Sequence, residues 1–178
     1  MLLSRKIDLS LLSNKESKDF GMKIIVSACL LGENCKYNGG NNKDERLIEL
    51  LKEHTVIPVC PETLGGLPTP RKPAEIVNGM VATAEGISVD AEFRKGAMVA
   101  FKIAKDEAVE LAILQPRSPS CGCGIIYDGS FSGRLISGNG IFAQMLIDNN
   151  IEVMTPNDFQ SSERIPRKRK IKDYDTTN

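Results

Sequence analysis

Lys23-Ile-Ile-Val-Ser-Ala-Cys29 is the stretch on which the reading of this chain turns. Its apolar run is short and lacks polar alternation, which is the pattern of a strand buried on both faces. A cysteine follows it directly. Thr55-Val-Ile-Pro-Val59 repeats the arrangement, with Cys60 as the next residue. Pro58 cannot donate to a sheet ladder and predicts a place at an edge or a strand end. Glu110-Leu-Ala-Ile-Leu114 is a third such run, and Ile151-Glu-Val-Met154 a fourth. Helical stripes lie between them. Leu47, Ile48, Leu50 and Leu51 mark residues 44–54; Phe93, Ala97, Ala100, Phe101, Ala104 and Ala108 mark 91–108; and 140–149 reads as a further helix. Ile76 to Val89 alternates around Asn78-Gly79 and Glu85-Gly86, which predicts a small hairpin excursion. Residues 61–73 hold four prolines and two glycines and read as a rigid loop.

Strands alternating with helices predict an α/β fold: a single domain with a mostly parallel sheet flanked by helices, Rossmann-like in its three layers. Ligands of such sheets bind beyond the carboxyl ends of the strands. Position in sequence then becomes position in space. Cys29 follows strand one, Cys60 follows strand two, and Cys121 lies in the loop after strand three. Three thiols distant in sequence are expected at one rim.

Composition bounds the function. The chain has 178 residues, with 23 Lys+Arg against 23 Asp+Glu, so bulk attraction to nucleic acid or an anionic membrane is not its organising principle. No stretch approaches a membrane span, and residues 1–21 lack the apolar centre of a signal peptide. Five cysteines, an odd number, with no such leader predict a reducing, cytoplasmic setting. Residues 1–21 read as an N-terminal extension, 22–159 as the domain, and 160–178 as a basic C-terminal tail with six positive charges between Arg164 and Lys172. That tail is read as solvated, with a nucleic-acid-contacting arm as the alternative.

Three converging thiols and no nearby histidine favour a thiophilic metal. The lone His54, at the end of a helical stripe, is read as a structural or surface residue. A structural zinc normally takes four ligands. A cubane iron–sulfur cluster normally takes four cysteines, and with three it keeps one open iron. Inert buried cysteine is the competing reading for each thiol singly.

Ser27-Ala-Cys-Leu-Leu-Gly32 with Cys35-Lys-Tyr-Asn-Gly39, then Val59-Cys-Pro-Glu62 leading into Gly65-Gly-Leu-Pro-Thr-Pro-Arg71 and Pro73-Ala-Glu75, then Ser118-Pro-Ser-Cys-Gly122, together resemble the thiouracil desulfurase family. The resemblance runs from about Met22 to Phe159. It implies a [4Fe-4S] cluster held by Cys29, Cys60 and Cys121, with one iron free for substrate sulfur. It also implies a non-redox hydrolysis of thiouracil, or a related thiolated pyrimidine base, nucleoside or nucleotide, to the uracil-type product and sulfide. Glu62 takes the role of general base, since attacking water must lose a proton, and Ser118 that of a second polar group for orientation or proton donation. The bland alternatives are a turn cap for Glu62 and a turn initiator for Ser118. Cys35 is expected in a structural or hydrogen-bonding role, and Cys123 stands outside the motif as a conceivable substitute ligand. Arg71 and Lys72 are read as meeting either a substrate phosphate or solvent. Gly122, Gly124, Gly129 and Gly133 are assigned to tight turns and close backbone approach. Two rival functions are a non-catalytic metal or sulfur-handling module and an RNA-associated factor using the basic tail.

Overall fold

The computed structural model describes residues 21–162. Strand β1 (Lys23–Ser27) runs into a 3-10 turn, Ala28–Leu31. Helix α1 (Glu45–Leu50) follows, capped by the Asp44 carboxylate, which accepts from the Leu47 N–H at 2.9 Å. Then come β2 (Thr55–Val59), α2 (Pro61–Leu64), β3 (Ala74–Val77), β4 (Met80–Thr83) and the long α3 (Asp90–Asp106). The chain continues through β5 (Leu111–Ile113), β6 (Ile125–Tyr127), β7 (Leu135–Ser137), α4 (Ile141–Asp148), β8 (Glu152–Met154) and α5 (Pro156–Ser161).

One sheet carries the architecture. Its order is β2-β1-β5-β8 and every pairing is parallel. Side chains alternate across it as the pleat requires. Ile24, Val26, Leu111 and Ile113 pack with Leu47 and Phe159 on the face of α1 and α5. Ile25 and Ala112 pack with Ala97, Ala100, Ala104 and Phe142 on the face of α3 and α4. Both faces are covered, so the strands need apolar residues at every position, and the three-layer α/β reading holds. Each fully buried Ile or Leu contributes about 1.5–3 kcal/mol relative to exposure. β2 lies at the edge, where Pro58 opposite Val26 leaves no central ladder bond unmade.

Several elements differ from expectation. The loop at 61–73 opens with helix α2, because Pro61 at its first position has a fixed φ suited to a helix and lacks a donor that would go unused there. The 91–108 stripe stops early: α3 ends at Asp106, and Ala108 is exposed with φ 53°. Antiparallel β6–β7 arises in the Gly-rich stretch for which only tight turns were expected. Helix α5 was signalled by Thr155 and Asp158, which form a reciprocal capping box, and by Pro156 at the first position. It crosses the 159/160 boundary. The expected hairpin is present as β3–β4, with Asn78 and Gly79 both at positive φ. The extension before Gly21 and the basic stretch 164–172 lie outside the described residues. Among the described residues no helix is long and apolar enough to cross a membrane.

Helix α2 lies directly on the backbone of α3. A Cβ on Gly96 would sit 1.8 Å from the Pro61 carbonyl oxygen, and one on Gly65 would sit 2.0 Å from that of Glu92. Only glycine permits this approach, which sets the height of the chain from Cys60 to Leu64 above the sheet. Gly96→Ala is expected to cost about 1–3 kcal/mol by overpacking, lowering Tm by about 2–4 °C per kcal/mol. Thermal unfolding checks this against Met98→Ala, an exposed site expected within about 0.5 kcal/mol of wild type. A Gly96→Ala melt superimposing on wild type would mean that the close contact is not needed.

Candidate functional site

Three neighbouring parallel strands deliver the site. β1 ends at Ser27, and Cys29 sits in the 3-10 turn that follows. β2 ends at Val59, and Cys60 immediately precedes α2. β5 ends at Ile113, and its loop brings Ser118 and Cys121 back over the same rim. Cys29, Cys60 and Cys121 line one cavity of about 1040 Å³, together with Cys35, Glu62 and Ser118. Cys123 is not among its lining residues; its thiol lies 3.8 Å from the Val153 carbonyl oxygen. His54 is also elsewhere: its Nδ1 accepts from the Met22 N–H at 3.0 Å, the structural one of its two expected roles.

The thiols are free of disulfides. Cys35 stands between two of the others. A hydrogen bond to the Cys29 thiol pushes Cys35 up, one to Cys60 works against it, and burial adds to the rise, to about 11. Cys60 is pushed well above the ordinary thiol range, first by Cys35 and then by burial. Its thiol also donates to the Cys35 carbonyl at 3.8 Å. Burial pushes Cys121 up to about 12, opposed by the Ser27 hydroxyl and assisted by the nearby Glu62 charge. Among the described residues no three His, Cys, Asp or Glu side chains are grouped closely enough to hold a metal ion.

Glu62 sits in the first turn of α2 with 16% of its side chain exposed, and does not cap that turn. Its Oε2 receives two donors from Arg71, Nε at 2.8 Å and Nη2 at 2.5 Å. Its Oε1 accepts from the Ser118 hydroxyl at 3.4 Å. Ser118 Oγ in turn accepts from the N–H groups of Ser120 at 3.0 Å and Cys121 at 3.1 Å. Ser118 therefore does hold a turn, the one that carries Cys121, while also reaching Glu62. Gly122 closes that turn: a Cβ there would lie 2.7 Å from the Ser118 carbonyl oxygen.

Arg71 and Lys72 do not stand ready for a phosphate. Arg71 is 7% exposed and fully engaged, donating also to Cys35 O, Pro68 O and Thr69 Oγ1. Lys72 pairs with Glu85 at the surface.

Two polar groupings escaped the sequence reading. Lys36 Nζ donates to Asn42 Oδ1 at 2.7 Å, and Asn42 Nδ2 donates to Gln115 Oε1 at 2.7 Å. The Asn42 N–H also reaches the Cys29 carbonyl at 2.9 Å, so this chain ties the Cys35 loop to the ends of β1 and β5. Buried Glu75 accepts from the N–H groups of Gly129 at 2.9 Å and Phe131 at 3.1 Å, and Phe131, with φ 56°, forms part of the cavity wall. Glu75 belongs to the quoted Pro-Ala-Glu motif, which was the only available signal. The Asn42–Gln115 pair, 73 residues apart, left none.

Known proteins of the same fold and sequence pattern are found. A family model described as 2-thiouracil desulfurase matches residues 24–158. The uncharacterized protein YbbK of Bacillus subtilis (strain 168) is 39% identical over 145 residues, spanning 76% of this chain and 96% of YbbK. A solved structure of the [4Fe-4S]-dependent thiouracil desulfidase TudS is 40% identical with a TM-score of 0.73, covering 77% of this chain and 92% of that one.

The raised thiols set a pH dependence for the protein free of any bound group. Unfolded thiols lose protons near about 8.5, whereas Cys35 and Cys121 hold theirs to about 11 and about 12 in the fold. Between these limits the folded state binds more protons, so the stability is complete below about 8.5 and falls as pH rises toward 12. Urea unfolding under reducing, anaerobic conditions is expected to give that downward slope, flattened in Cys121→Ala. A stability constant from pH 8.5 to 11 would contradict it.

Proposed function

Because this chain belongs to the 2-thiouracil desulfurase family, we propose that it hydrolyses the thiocarbonyl of thiouracil, or of a related thiolated pyrimidine, with a [4Fe-4S] cluster held by Cys29, Cys60 and Cys121. The observation that carries this reading is the arrival of three disulfide-free thiols from three strands at one cavity that also contains a carboxylate. The donor set suits such a group. All three are soft sulfur donors lining one cavity, and a cubane would take each thiolate on a different iron. Bound there, the cluster supplies one iron without a protein ligand, a thiophilic Lewis acid for a thiocarbonyl sulfur.

The remaining work falls to the chain. Exchange of C=S for C=O consumes one water and releases one hydrogen sulfide, with no electrons exchanged. Glu62 accepts a proton from the attacking water and returns it to the departing sulfur. Ser118 uses its acceptor capacity on two backbone N–H groups, so its own proton is the group it has left to offer toward Glu62 and the cavity. Residues 22–159 form the catalytic unit in this reading, with 1–21 and 160–178 as flanks, and a reducing compartment such as the cytoplasm suits five free thiols.

Anaerobic reconstitution with iron and sulfide tests the assignment. Alanine at Cys29, Cys60 or Cys121 is expected to strip bound iron, while Cys123→Ala retains it. Glu62→Gln is expected to keep its iron and lose about 10²–10⁴-fold in turnover, followed as loss of 2-thiouracil thiocarbonyl absorbance. Full iron in Cys121→Ala would overturn the ligand set; wild-type turnover by Glu62→Gln would remove it as the base.

A further inference from the structure

We propose that Arg71 is a positioning residue for the reaction: its guanidinium occupies one oxygen of Glu62 and leaves the other, Oε1, as the oxygen that handles the proton. The inference rests on the role given to Glu62 above and extends it to a residue with no assigned part. The two carboxylate oxygens of Glu62 are not equivalent. Oε2 takes Nε at 2.8 Å and Nη2 at 2.5 Å from one guanidinium, while Oε1 has only the longer Ser118 contact at 3.4 Å. A carboxylate oxygen with two charge-assisted donors has its lone pairs occupied. The lone pairs of Oε1 remain for water.

Arg71 is also the point where three segments meet. Its side chain joins α2 through Glu62, the cysteine loop through the Cys35 carbonyl at 3.0 Å, and its own Pro-rich loop through Pro68 O and Thr69 Oγ1, both at 3.1 Å. Its backbone N–H donates to Tyr37 O at 2.7 Å. Five donors in one rigid plane make this set of contacts; a lysine has three donors on a single nitrogen and cannot span them. With 7% of the side chain exposed, the charge is held in place by its acceptors and not by solvent. The carboxylate is thereby fixed in orientation before substrate arrives. Misplacement of such a group by about 1 Å costs on the order of 10²-fold in rate.

The test compares Arg71→Ala and Arg71→Lys with wild type, each reconstituted anaerobically. Expected for Arg71→Ala is wild-type iron content and visible spectrum, a kcat lower by about 10²-fold, and a largely unchanged KM. Millimolar guanidinium, which refits the vacated space, is expected to restore part of kcat, whereas methylammonium is not. Arg71→Lys is expected between the two, with no response to guanidinium. A second readout uses the cluster-free protein: millimolar guanidinium is expected to raise the Tm of Arg71→Ala, but not of Arg71→Ala/Glu62→Gln or of Arg94→Ala, which removes an exposed ion pair with Asp90. Wild-type kcat in either Arg71 variant overturns the inference. So does a kcat defect in Arg71→Lys matched by an equal loss of iron, since Arg71 would then act on the cysteine loop alone. If wild-type protein loaded with iron leaves thiouracil intact, the proposed function fails instead, and the Tm response still reports whether Arg71 and Glu62 form one guanidinium site.

Discussion

Parallel pairing of β1 on both its edges is the constraint on which the rest depends. β1 bonds in register to β2 on one side and β5 on the other. Parallel strands finish at the same end of a sheet, so the residues that follow all three must share a rim. Ser27, Val59 and Ile113 mark that line. Beyond it the chain has left the ladder, its backbone groups are free to turn, and side chains from distant segments can meet around a cavity. An antiparallel β2 would have carried Cys60 to the opposite end, and the thiol set would not exist.

What stands on the rim is held by polar groups that were removed from water and then paired. The Arg71–Glu62 pair is nearly enclosed, and every acceptor around the guanidinium is either the carboxylate, a carbonyl or a hydroxyl. Burial of an ion pair is costly unless its remaining hydrogen-bonding capacity is met, and here it is met by loops that themselves carry Cys35 and the Pro-rich turn. The thiols follow the same logic. Without a cation to stabilise the thiolate, burial keeps Cys121 protonated beside the Ser27 hydroxyl, and the hydrogen bond with Cys29, aided by burial, keeps Cys35 protonated. A cationic cluster would reverse that balance, because thiolate is the form that ligates metal.

Much of this was legible before any coordinates. Ile24, Ile25 and Val26 in succession announced a strand with no solvent face, and Pro58 announced an edge. The cysteine directly after each of the first two strands turned a topological rule into a site. Where the reading fell short, the signal was short or two-sided. β6 and β7 are three residues each, with Ile125, Leu135 and Ile136 exposed, so burial left no period to find. Helix α5 had its capping box in plain view, yet six residues offer less than two turns of apolar stripe. Arg71 reads from sequence as a cation for a phosphate or for solvent, because composition is blind to which loops fold over it.

Sequence alone determined the local choices: which runs extend, which coil, where a proline opens a helix, and that soft donors follow the strand ends. These depend on side-chain period and backbone stereochemistry within a few residues. Tertiary structure alone decided that Ser118 both holds the Cys121 turn and touches Glu62, that Cys35 lies between two other thiols, and that one oxygen of Glu62 is taken by Arg71 while the other is left open. The reason is physical. Each is a contact between groups brought together from separate segments, and its geometry is set to tenths of an ångström by packing such as the Gly96–Pro61 approach, which no local pattern in the chain encodes.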